Sequence, residues 1–179
     1  AQIAVFLTTF GQLIDRLLWA PKPVIAALNG QTYAGGAILA LCCDFRLMAQ
    51  GDFGFALTEV NIGVRLPDSI FRLLAQAAGV PLARRMFLTG DPIMPVDGLA
   101  CGLYAAVVPV EEVLHQARQL AATLGAKPAA TYAAIKHKML DAQGLTRQTP
   151  GQSWIDVDAW FTPEAEAMKR KLAEKLGKA

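Results

Sequence analysis

Concentrated charge is what this sequence has least of, and the lack excludes whole classes of protein. The 179 residues carry 17 Lys and Arg against 15 Asp and Glu, a formal net charge of +2, and the charges are scattered until the C-terminal segment. A nucleic-acid-binding surface needs a basic face dense enough to replace the counterions around phosphates, and so even a balance does not supply one. Histidine is scarce too, with two in the chain, and the three cysteines show no metal-ligand spacing; no metal is expected. Cys42, Cys43 and Cys101 stand among apolar residues. Reduced packing thiols are therefore expected, and with them a reducing compartment, the cytoplasm or an organelle matrix. The longest nearly continuous apolar run, Ala34 to Cys43, stops at Asp44 and falls short of the ~20 residues that span a bilayer. A clean dinucleotide fingerprint, a phosphate loop and low-complexity tracts are all missing.

What the chain has in quantity is apolar residue, 54% of the total, enough for one substantial core and not for a second full domain. Phe6, Phe10, Leu13, Leu17 and Leu18 recur at helical spacing and end at Ala20-Pro21. Val24 to Leu28 reads as an interior strand, Ala37 to Cys43 as a helix, and Phe45–Met48 and Phe53–Leu57 as two more strands. Asp68 or Ser69 offers a cap for a helix from Ile70 to Ala78, closed by Gly79. Pro81 opens the next helix and Gly90 closes it. A short helix around Leu99 precedes a strand at Ala105–Val108, and Val113, Leu114, Ala117, Leu120, Ala121 and Leu124 form a further helical stripe. Beyond Lys127-Pro128 the chain turns wholly helical, with Tyr132, Ile135, Met139 and Leu140 on one face. Alternating strands and helices followed by a helical tail predict α/β layers with an appendage.

Two places carry chemistry. Asn29 to Ala37 joins the strand to the apolar helix and sets Gly35 and Gly36 where that helix begins. The first amides of a helix lack carbonyl partners and carry partial positive charge, and glycine lets a ligand oxygen approach them. The pair also serves simple close packing of helix on strand. Glu59 follows an apolar strand and is flanked by Val60 and Ile62. A carboxylate in a dry setting gains proton affinity and becomes a base for a weakly acidic carbon-bound proton; an exposed loop glutamate is the plainer alternative.

These blocks, Lys22-Pro23-Val24-Ile25-Ala26-Ala27-Leu28-Asn29-Gly30, Ala34-Gly35-Gly36 and Leu41-Cys42-Cys43-Asp44-Phe45-Arg46, resemble the crotonase (enoyl-CoA hydratase/isomerase) superfamily. So do Leu57-Thr58-Glu59-Val60-Asn61-Ile62-Gly63, Leu88-Thr89-Gly90 and Ala100-Cys101-Gly102-Leu103, in the family's order and near its spacing. The resemblance runs from about Leu17 to Val113 and weakly beyond. It implies a truncated chain that lacks the family's N-terminal portion, with Ala1 to Ala4 entering the helix before the Lys-Pro strand.

The resemblance implies an α/β, crotonase-like spiral of strand-strand-helix units over residues 1–127, with a helical oligomerisation tail at 128–179 that builds a homotrimer or a hexamer of paired trimers. It implies an acyl-CoA thioester substrate, no separate cofactor, and Glu59 as acid or base. Gly35 N–H would be one of two oxyanion donors, the other lying in the absent portion. Ala34, Ile38, Pro67 and Asp68 would border the substrate. Family hydratases carry a second glutamate where this chain has Ile38, whereas single-glutamate Δ3,Δ2-enoyl-CoA isomerases are apolar there; the isomerase reading leads. A hydratase or dienoyl-CoA isomerase with Asp68 as second carboxylate, and a catalytically weak acyl-CoA-binding subunit, are the alternatives. Asp44 and Arg46 are expected in a buried ion pair or turn, His115 and His137 on solvated surface, and Trp154, Trp160 and Phe161 as anchors of the tail. Lys169, Arg170, Lys171, Lys175 and Lys178 are expected to form a solvated face around Ala165, Met168, Leu172 and Leu176.

Overall fold

Extended apolar segments that return at intervals along a chain stack most readily side by side with helices between them, and this chain does so twice. The computed structural model describes residues 2–148, 154, 157–175 and 177. Helix α1 spans Gln2–Leu18. Strands β1 (Ile25–Leu28) and β2 (Thr32–Tyr33) then lead into helix α2, Gly35–Leu41. Strands β3 (Phe45–Ala49) and β4 (Phe55–Ala56) lead through a 3-10 turn, Glu59–Ile62, into helix α3, Asp68–Ala78. Helices α4 (Val80–Thr89) and α5 (Pro95–Ala100) precede strand β5, Ala106–Val108. Helices α6 (Val113–Gly125), α7 (Ala129–Ala142) and α8 (Pro163–Lys175) complete the order, with a second 3-10 turn at Asp158–Phe161.

The strands sort into two parallel sheets, β1-β3-β5 and β2-β4. Each strand-strand-helix unit therefore gives one strand to each sheet, the spiral expected from the sequence. Ile25 stands opposite Phe45 and Leu28 opposite Met48, while Leu47 faces Ala106 on the other side. Ile38, Leu41, Phe55, Ile70, Leu74, Met86 and Leu103 form the main core, and Leu47, Ala49, Val108, Val113 and Ala117 a smaller one.

Several details differ from the sequence reading. In α1 the buried stripe is Leu7, Gly11, Ile14 and Leu18; Phe6 and Leu13 are exposed, because the helix is apolar on more than one face and periodicity alone does not choose between them. The strand β2 lies inside what reads as a connection. Neither Asp68 nor Ser69 caps α3: Pro67 holds the N-cap position in extended conformation without a side-chain cap bond, and Asp68 is the first helical residue. Cys42 is buried, but Cys101 is exposed. On α7 the buried residues are Lys136 and Leu140, whereas Ile135 and Met139 are exposed.

The reason lies in one polar junction. Asp44 N–H donates to Val24 O at 2.8 Å and Val24 N–H donates to the Asp44 carboxylate at 2.8 Å, tying the start of β3 to the approach to β1. Lys136 Nζ reaches the same carboxylate at 3.0 Å. Arg46 instead donates to the carbonyls of Leu103, Ala40 and Cys43. Asp44 is thus in an ion pair, but with Lys136 and not with Arg46. His115 is exposed, yet His137 is half-buried with Nε2 3.2 Å from Trp19 O and its ring tilted against the Trp19 indole. In the tail Trp154 is buried and Trp160 packs on the core, while Phe161 is exposed. Lys169 lies over the Trp160 ring and binds Trp160 O, so it is not a freely solvated cation. Leu176 and Lys178 lie outside the described residues.

Two outcomes test this account. Removing one member of a buried pair strands the other, so Lys136→Ala is expected to lower stability by about 3 kcal/mol. The double change Asp44→Asn with Lys136→Met should recover part of that loss in denaturant titrations. A Cβ added at Gly98 would strike the Tyr104 ring, itself buried, and Gly98→Ala is expected to cost about 1–3 kcal/mol by thermal unfolding.

Candidate active site

The parallel pairing of β2 with β4 brings the two chemically suggestive segments together. Thr32 stands opposite Phe55 and Tyr33 opposite Ala56. Parallel strands leave a sheet at the same end, so the chain beyond Tyr33 and the chain beyond Ala56 emerge side by side. Ala34 N–H, donating to Ala56 O at 2.9 Å, is the last rung. One residue on is Gly35; three residues past Ala56 is Glu59.

Ala34 turns the chain into α2 with φ 50° and ψ −123°. It is the one non-glycine residue at positive φ among the described residues, and such a backbone costs about 1–3 kcal/mol. Ala34 makes no side-chain cap. Ile38 N–H is the first to turn back, to Ala34 O at 3.0 Å, so the amides of Gly35, Gly36 and Ala37 have no carbonyl of their own helix. A Cβ at Gly35 would touch the Phe10 ring at 3.3 Å, whereas one at Gly36 would meet nothing within 4 Å. Close packing therefore accounts for Gly35 alone; Gly36 faces open space.

Glu59 begins the 3-10 turn and is 5% exposed. Its Oε2 is buried without a hydrogen-bond partner among the described residues. Burial pushes the carboxyl up to about 7 from an ordinary 4.5, and a hydrogen bond from its own backbone offsets part of that rise. The turn is held from two sides. Gly63 closes it at φ 68°, and a Cβ there would meet Ala165 Cα of α8 at 3.2 Å. Asn61 packs against Gly90, the left-handed cap of α4, where a Cβ would lie 2.5 Å from Asn61 Nδ2. Asn61 is exposed and makes no hydrogen bond to Glu59.

Ile38 lies one turn into α2 and is 2% exposed. Pro67 and Asp68 border a cleft of about 200 Å³ with Ser69, Thr146 and Trp154. The Asp68 side chain is 79% exposed and pairs with Arg72 at 2.8 Å. The geometry thus gathers Ala34, Gly35 and Glu59 at one sheet end, whereas Asp68 is turned to solvent. Cysteine offers no rival nucleophile here: burial pushes the Cys43 thiol up to about 11 and Cys42 higher still. Among the described residues no three His, Cys, Asp or Glu side chains gather as metal ligands would, and no helix is long and apolar enough to cross a membrane.

Sequence reasoning missed the Asp44 pairing of Lys136 and, although it placed Phe10 and Ala165 on apolar stripes, their contacts with Gly35 and Gly63. Lys136 had a usable signal, since Tyr132, Lys136 and Leu140 repeat at four-residue intervals along one helix face. Phe10 and Ala165 had none, because each matters through a neighbour distant in the chain.

The profile of the enoyl-CoA hydratase/isomerase family matches residues 1–173. A probable enoyl-CoA hydratase of Bacillus subtilis is 33% identical over 169 residues, covering 89% of this chain and 65% of the relative. Crotonyl-CoA hydratase of Syntrophomonas wolfei is 36% identical over 118 residues, covering 65% of this chain and 45% of the relative. The chain thus spans less than two thirds of the length of these curated relatives. An enoyl-CoA hydratase structure from Mycobacterium avium subsp. paratuberculosis aligns with TM-score 0.78 at 24% identity, over 92% of this chain and 69% of that one. Human mitochondrial Δ3-Δ2-enoyl-CoA isomerase aligns with TM-score 0.72 at 24% identity, over 96% and 62%. These structural likenesses show a shared fold. With a profile match reaching from the first residue into α8, the chain belongs to the enoyl-CoA hydratase/isomerase family.

Proposed function

We propose that this chain carries the proton-transfer site of an acyl-CoA-processing enzyme that isomerises 3-enoyl-CoA to 2-enoyl-CoA. One observation carries the reading: a buried carboxyl with an unpartnered oxygen, its proton affinity raised to about 7, leaves the same sheet end as helix amides without carbonyl partners. Glu59 removes a proton from C2 of the 3-enoyl thioester. The electron pair moves onto the thioester oxygen, making a dienolate held by Gly35 N–H and a second donor. Glu59 then returns the proton at C4, the double bond moves to C2–C3, and the carboxylate is regenerated. A donor of this kind is worth about 100- to 1,000-fold in rate. The base works near neutral pH because its proton affinity is matched to that pH.

Ile38 supports isomerisation over hydration. Water addition in this family uses two carboxylates, and a buried isoleucine positions no water. The alternative, a hydratase or dienoyl-CoA isomerase with Asp68 as second carboxylate, is less well supported, because Asp68 is solvent-facing and held by Arg72. CoA enters as part of the substrate, and no other cofactor is assigned. Residues 128–179 are proposed as the assembly region of a homotrimer or hexamer, on the exposed Ile135 and Met139 of α7. A cytoplasmic or organelle-matrix setting fits the free thiols.

Glu59→Gln is expected to cut isomerisation by at least about 100-fold while acyl-CoA binding persists; a binding subunit would show no turnover to lose. A panel of 3-enoyl-, 2-enoyl- and 3,5-dienoyl-CoA substrates on the complete protein makes the measurement, and efficient hydration of 2-enoyl-CoA would sink the isomerase reading. As the base must be ionised, kcat/KM should rise with pH and level off above about 7.

Stability gives a second test with a definite sign. Between 4.5 and about 7 the folded state holds a Glu59 proton that the unfolded chain has lost, so stability falls as pH rises through that window. Glu59→Gln lacks the penalty. It is expected to be more stable than wild type at pH 8, by on the order of 3 kcal/mol, with the gap closing below pH 4.5 in denaturant titrations.

A further inference from the structure

A cavity of about 540 Å³ lies on the far end of α2 from Gly35, within the range of roughly 300–1,000 Å³ that small-molecule sites occupy. Its walls include Leu41 of α2, Leu73 and Ala77 of α3, and Ile135, Met139 and Leu140 of α7. Gly35, Ile38 and Glu59 do not line it. Arg46, Asp44 and Lys136 do, and they give an otherwise apolar cavity a charged end.

The balance at that end is uneven. Lys136, 7% exposed, is matched by Asp44 at 3.0 Å and also reaches the carbonyls of Leu17 and Lys22. Asp44 is the one carboxylate lining the cavity, and it is neutralised by that contact. Arg46 is 8% exposed and, among the described residues, forms no ion pair with a carboxylate, although Asp44 lies near enough to favour its charge. Its Nε donates to Leu103 O at 2.8 Å, and its Nη1 to Cys43 O at 2.8 Å and Ala40 O at 3.2 Å. Nη2 donates to nothing among the described residues. A guanidinium has five N–H donors in a planar fork suited to a carboxylate, and that of Arg46 keeps one edge unbonded at the cavity. An exposed lysine, Lys127, adds positive charge at the rim.

We propose that this cavity is a second ligand site for an apolar monocarboxylate of the fatty-acid type. The carboxylate pairs with the free edge of Arg46 and the chain runs along the α3 and α7 walls. A neutral hydrocarbon leaves the Arg46 edge unbonded, and a small inorganic anion leaves the apolar walls uncovered. The site is independent of the chemistry assigned to Glu59.

Decanoate is the probe, titrated by calorimetry and by thermal unfolding, because a ligand of the folded state raises its melting temperature with concentration. Saturable binding is expected, with decanol at least tenfold weaker for want of the charge. Ala77→Phe, which fills the cavity without touching the Arg46 bonds, is expected to weaken decanoate at least tenfold; Glu59→Gln should leave its affinity within twofold. Three results each overturn the proposal. They are absence of saturable binding, decanol binding as tightly as decanoate, and decanoate binding that Ala77→Phe leaves intact or Glu59→Gln removes.

Discussion

Asp44 stands where three stretches of chain must meet, and the arrangement depends on its carboxylate being satisfied there. The backbone of Val24 and Asp44 exchange hydrogen bonds, so β3 can begin only beside the approach to β1. Lys136 then brings α7 to the same carboxylate from far along the chain. Next to it Arg46 gathers the carbonyls that α2 and the loop before β5 leave open. Carbonyls at a helix end need donors when water is excluded, and a guanidinium supplies several at once. The junction therefore sets the end of α2, and through the rigid helix it also sets where the other end, with Gly35, is presented.

At that other end stability is given up. Ala34 keeps a backbone that alanine rarely adopts, the first amides of α2 have no capping side chain, and Glu59 is buried with one oxygen unpartnered. Each would be a defect in a merely structural segment. They occur together on neighbouring strand ends, whereas the buried Lys136 is matched by Asp44 and by the carbonyls of Leu17 and Lys22. Their concentration at one sheet end supports the proton-transfer role proposed for Glu59.

Much of this was legible in the residues. The alternation of apolar runs with Gly and Pro stops announced the order of strands and helices, and the doubled glycine marked the start of α2. Glu59 stood out through its apolar neighbours, although its role came from family likeness. What was not legible depends on contacts between distant segments. Nothing local distinguishes Phe6 from Leu7 as the buried residue of α1. The partner of Asp44 is not its sequence neighbour Arg46 but a lysine on a tail helix whose Ile135 and Met139 looked like better core. Asp68 resembled a helix cap by residue type, yet Pro67 already supplied the extended backbone that starts α3, leaving the aspartate free to pair with Arg72.

The near-contact of Gly63 with Ala165 links the last helix to the residue with the most demanding environment. The turn bearing Glu59 has one flank formed by α4 and another by α8, so its seat is incomplete until the end of the chain has docked. With α8 undocked, that flank would open to water and the burial that shifts this carboxyl toward neutrality would be reduced. A chain with α8 displaced would hold a more solvated and more ordinary carboxylate at Glu59. The proton affinity of Glu59 is thereby tied to the seating of a helix more than a hundred residues away in the chain.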